Sequence, residues 1–118
     1  MTTPVKTPGF TIVEDPLKQQ PIPDEGILTR QLYEDAMARV VLFTFSNGQR
    51  LSEHTASSPA LLHFLSGEAT LTLGTESFEV RSGAWVRMDP GLPHSIVTRS
   101  PVVMLLVLIK AAQVRGQS

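Results

Sequence analysis

Two histidines carry most of the chemistry that this sequence offers. His54 stands in LSEHTASSPALLHFLSG and His94 in GAWVRMDPGLPHSIVT, both in short apolar stretches bounded by glycine. Imidazole titrates near neutrality, so a convergent pair can hydrogen-bond a ligand, act as general base or hold a late first-row metal. Ligand number limits the last use. A catalytic metal takes three protein ligands plus water and a structural zinc takes four, whereas these histidines supply two. Asp89, in the loop beside His94, is the first candidate for a third. Cysteine is absent, so thiolate and disulfide chemistry play no part.

The elements that must position these groups read as short strands parted by turn residues. Strands are predicted at Ile27–Tyr33, Arg39–Ser46, Leu51–Thr55, Ala60–Leu65, Ala69–Leu73, Ser77–Arg81, Ala84–Met88, Ser95–Thr98 and Val102–Ile109. Turn signals separate them at Asn47-Gly48, Ser66-Gly67, Gly74, Ser82-Gly83, Pro90-Gly91 and Pro101. A helix over Leu32–Ala38 is too short and uncapped to compete. Many short strands at even spacing point to an antiparallel sandwich or barrel.

Read as two-residue hairpins, the first two turns fix which side chains share a face. Across Ser66-Gly67, Leu65 pairs with Glu68, Phe64 with Ala69 and Leu62 with Leu71. Ala60, Leu62, Phe64, Ala69, Leu71 and Leu73 then form a wholly apolar inner face. His63 falls on the other face with Leu61, Leu65, Thr70 and Thr72. Across Asn47-Gly48, His54 pairs with Val41, Ser52 with Phe43 and Arg50 with Phe45. Glu53 and His63 have the wrong parity to join the two site histidines. Trp85 and Arg87 share one face of their strand.

At 118 residues, with 42% apolar and 18% charged side chains, the chain has material for one core and not for two. A net charge of -1 without a basic patch argues against a nucleic-acid partner. The start MTTPVKTPGFTIVEDP has no apolar core of a secretory signal. The run Val102–Ile109 is far shorter than the roughly 20 residues that span a bilayer. No membrane association is expected, and the default location is cytoplasmic. Five of the nine prolines fall within the first 23 residues, so residues 1–26 should form an extended arm with one short edge strand at Phe10–Val13.

The two histidine segments resemble the paired motifs of the cupin superfamily. The first family motif, G-x5-H-x-H-x3–4-E-x6-G, is matched by Gly48, His54 and Gly67, while its second histidine falls at Ala56 and its glutamate at Ala60. The second, G-x5-P-x-G-x2-H-x3-N, is matched by Gly83, Gly91 and His94, with Asp89 at the proline position and Thr98 at the asparagine. The resemblance implies an all-β, single-domain fold, a double-stranded β-helix or jelly-roll-like cupin barrel. That domain would span residues 27–112, with the arm 1–26 before it and a tail 113–118 after it.

The resemblance also implies a ligand pocket inside the barrel, lined by Phe43, Ser52, His54, Leu62, Phe64, Met88, His94, Ile96 and Met104. His54 and His94 would be its metal-binding or catalytic groups. Any divalent metal, whether Zn, Ni, Fe, Mn or Cu, is expected to be weakly held, with Asp89 as third ligand. The function expected is small-molecule binding with no specific activity assigned. The alternatives are a cupin enzyme (a metal-assisted dioxygenase or isomerase, or a metal-free enzyme using histidine as base) and a stand-alone sensor or accessory module. Leu61 and Leu65 on an otherwise polar face suggest burial in a homodimer.

Overall fold

The computed structural model describes residues 4–110, and the side chains of Lys6, Thr7, Glu53 and His54 lie outside that description, as does the tail 113–118. A small hairpin of β1 (Val5–Thr7) and β2 (Phe10–Ile12) opens the chain. There follow β3 (Ile27–Glu34), β4 (Ala38–Phe45), β5 (Arg50–His54), β6 (Ala60–Ser66), β7 (Glu68–Leu73), β8 (Glu76–Arg81), β9 (Trp85–Met88), β10 (His94–Thr98) and β11 (Val102–Ile109). Each strand predicted from Ile27 onward is present with its ends displaced by at most one residue. Apolar, β-branched and aromatic runs set the strands, and glycine with positive φ sets the breaks. The strand β1 carries too little pattern to have been read.

The closed barrel is not formed. The strands build one antiparallel sheet in the order β3-β4-β11-β6-β9 and a second in the order β5-β10-β7-β8. Closure needs a continuous ladder around the ring. Here β3 and β9 remain edges of one sheet and β5 and β8 edges of the other. The molecule is a double layer of open sheets packed face to face.

The two supposed hairpins are crossings between these layers. Asn47-Gly48 carries the chain from β4 in the first sheet to β5 in the second, and Ser66-Gly67 carries it from β6 to β7. Leu62 therefore pairs with Leu106 and Val86, while Leu71 pairs with Ile96 and Phe78. At Gly67, where φ is +90°, a Cβ would drive into the Pro101 carbonyl oxygen and lie within 2.8 Å of Val102 Cγ2. Only glycine lets the chain turn the corner that tightly.

In β6 and β7 the facing of side chains survives this change of partner, because alternation belongs to each strand separately. Phe45, Ala60, Leu62, Phe64, Met88 and Met104 of the first sheet are buried against Ala69, Leu71 and Ile96 of the second. His63 is exposed on the outer face opposite Trp85, which is 67% exposed.

Part of the proline-rich arm covers the outer face of β3 and β4. Asp15 accepts from Leu17 N and starts a single 3₁₀ turn, Pro16–Lys18. Gln20 Nε2 then donates to Leu28 O and to Thr44 Oγ1, Thr44 Oγ1 donates to Pro21 O, and Arg30 Nη1 donates to Gln19 O. These bonds satisfy the Thr44 hydroxyl, which is fully buried beneath the arm. No helix among the described residues is long and apolar enough to cross a membrane.

Candidate functional site

The site grows out of the start of β10. The loop from Asp89 to Pro93 is tied down on both sides, by Gly91 N donating to Ala56 O and Gly74 N donating to Pro93 O, each at 2.8 Å. The strand begins directly after it with His94, which is 5% exposed. His94 Nδ1 lies 3.0 Å from the Leu92 carbonyl oxygen. A carbonyl can only accept, so Nδ1 carries the proton and the lone pair of the neutral ring sits on Nε2. The backbone thereby selects the nitrogen with which this imidazole can bind a donor or a metal.

The His54 position comes opposite through an irregularity. On β10, His94 pairs with His54 and Ile96 pairs with Leu51, so two steps on β10 span three on β5. The extra residue is a bulge in β5, a device that re-aims side chains beside functional sites. Before the bulge Leu51 shares the inner face with Ile96, and Ser52 is exposed.

A cavity of about 220 Å³ lies between the sheets beside His94. Six of the expected residues line it: Phe43, Leu62, Met88, His94, Ile96 and Met104. Two do not. Ser52 is exposed, because Leu51 beside it takes the inward position before the β5 bulge, and Phe64, 1% exposed, is absorbed into the solid core. Leu51, Leu106 and Leu108 complete the wall without having been expected. The last two follow from Met104 by alternation along β11, so the pattern could have found them. Leu51 could not be placed without the bulge.

Ala56 and Ala60 also line the cavity. The two positions at which the motif comparison places further ligands thus present methyl groups to the interior. Asp89 lies elsewhere, its side chain 82% exposed and its carboxylate accepting from Arg87 Nη1 at 2.6 Å. Among the described residues no three histidine, aspartate or glutamate side chains come together in a way that could hold a metal ion.

Comparison with known proteins accords with this architecture. The Cupin domain family model matches residues 41–108, which run from β4 to the end of β11 and contain both histidine segments. A conserved protein of unknown function from Streptococcus pyogenes is 26% identical, with a TM-score of 0.77 over 93% of this chain and 96% of that one. A cupin superfamily protein from Desulfitobacterium hafniense is 21% identical, with a TM-score of 0.68 over 78% and 92%. An RmlC-like cupin protein from Desulfovibrio desulfuricans is 19% identical, with a TM-score of 0.73 over 90% and 97%. No curated protein matches the chain. From the motif glycines to the strand order that brings His54 opposite His94, and with the family model matched across 41–108, this chain belongs to the cupin superfamily.

Proposed function

We propose that the protein binds one compact, largely apolar small molecule between its sheets, with His94 Nε2 meeting the ligand's polar group. The observation that carries this reading is the make-up of the cavity. Its described wall is aliphatic, aromatic and thioether except for the single imidazole of His94. An apolar cavity of about 150 Å³ takes a benzene, so about 220 Å³ suits a somewhat larger body. A polyhydroxylated ligand would strand hydroxyls against leucine and methionine at about 1–3 kcal/mol each. A single hydroxyl directed at Nε2 strands none. Any divalent ion bound at His54 and His94 would be held weakly and completed by water.

The test is a ligand-observed NMR screen of small alcohols, phenols and polyols against the parent and two narrowed variants, Ala60→Leu and Ala56→Leu, each checked for folding by circular dichroism. Apolar mono-alcohols should bind the parent and lose binding in a folded variant. Binding confined to polyols, or unaffected by both substitutions, would overturn the reading.

A further inference from the structure

A second space of about 410 Å³ adjoins the apolar cavity, and Ala56 and Leu108 line both. Its other walls are polar and include Glu34, Arg39, Lys110 and Ser58. Strand register explains the guanidinium. β4 and β11 pair without interruption from Phe45↔Val102 to Ala38↔Ile109, so Arg39, opposite Leu108, lies on the same face as Phe43, opposite Met104. Since Leu108, Phe43 and Met104 line the cavity, Arg39 is the inward residue at the open end of β4.

The charges in this outer chamber are arranged unevenly. Lys110 Nζ donates to Glu34 Oε2 at 2.7 Å and to Asp35 O at 3.0 Å, which uses two of its three protons. Asp35 keeps its carboxylate within its own turn, accepting from Tyr33 Oη, Met37 N and Ala38 N. Arg39 donates through Nε to Gln31 Oε1 at 3.1 Å, and among the described residues its two Nη groups make no hydrogen bond. Two cations therefore face one lining carboxylate, which is already paired. The planar guanidinium, steadied at Nε, presents a fork that matches a carboxylate's two oxygens.

We propose that the ligand of this site is an amphiphilic carboxylate. Its apolar body of about six to nine carbons fills the inner cavity, any hydroxyl on that body meets His94, and its carboxylate reaches the Arg39 guanidinium. This rests on the reading of the inner cavity as a small-molecule site and extends that site into the outer chamber.

Calorimetric titration of the full chain with octanoate and with 1-octanol tests it, since the two share a tail and differ in the head. Octanoate should bind about tenfold more tightly, the scale of one charge-assisted pair. The preference should fall to about onefold in Arg39→Gln, and both ligands should weaken together in Ala60→Leu. Equal affinity of acid and alcohol in the parent, or an acid preference that survives Arg39→Gln, would overturn the proposal while leaving the cavity reading intact. Octanoate binding that survives Ala60→Leu would place the acid elsewhere and also overturn it. If neither probe binds, the cavity reading itself fails and this proposal with it.

Discussion

At the scale of single residues, the site is set by which nitrogen of His94 carries a proton and by what stands at Ala56 and Ala60. Leu92 O settles the first point, since a carbonyl can only accept and so draws the proton to Nδ1. The alanines settle the second, because each lines the cavity and neither can coordinate. Restoring ligating side chains with Ala56→His and Ala60→Glu should raise zinc affinity by orders of magnitude in a calorimetric titration, as the site passes from two imidazoles to a full set. An unchanged affinity would mean that these positions do not converge with His94. His94 and the alanine positions were legible in the sequence through motif spacing. The Arg87–Asp89 pair was not legible, since Asp89 lies in the loop beyond the end of β9, where strand alternation no longer sets direction. The β5 bulge was not legible, because one extra residue in a strand leaves no mark in residue type, and with it went the placement of Leu51 and Ser52.

At the scale of elements, the β3–β4 turn offers a titratable test of how the outer chamber is held. The Asp35 carboxyl sits below the usual carboxylate range, chiefly through the Tyr33 hydroxyl and then through the Met37 and Ala38 amides. Glu34 is lowered as well, chiefly by its bond to Lys110. A carboxyl whose pKa is lower folded than unfolded stabilises above the unfolded value of about 4 and ceases to do so as pH falls through the folded one. Asp35→Asn should therefore melt at a lower temperature than the parent at pH 7, with the gap narrowing toward pH 3. A gap that is constant with pH would show that the carboxylate charge contributes nothing. The strands themselves were readable because each carries its own alternation. Their partners were not, since a glycine that turns a hairpin and one that turns a corner between sheets have the same sequence signature. At Gly67 the crowding of Pro101 and Val102 decides between the two, and those residues lie more than thirty positions away in the chain.

At the scale of the whole molecule, two open sheets leave one face short of cover. The arm lies over Thr44, but Trp85 is 67% and Phe10 60% exposed around the outer face of the five-stranded sheet. An apolar groove of about 690 Å³ runs there between Phe10, Val13, Tyr33, Val40 and Leu105. Apolar surface of this kind on one side of a small domain is characteristic of association, and we propose that a second copy of the chain covers it. Light scattering at micromolar concentration should give twice the chain mass, and Leu61→Lys on the same face should return it to a monomer that still binds ligand. A parent that is monomeric throughout would remove the dimer and leave the cavity untouched.

The central claim, that the space between the sheets is a small-molecule site built on His94, is tested most directly by a crystal structure of the protein soaked with phenol. The ring should lie between Phe43, Ile96 and Met104, with the hydroxyl hydrogen-bonded to His94 Nε2. Phenol found only in the outer groove at Phe10, or a cavity closed by its own side chains, would contradict it.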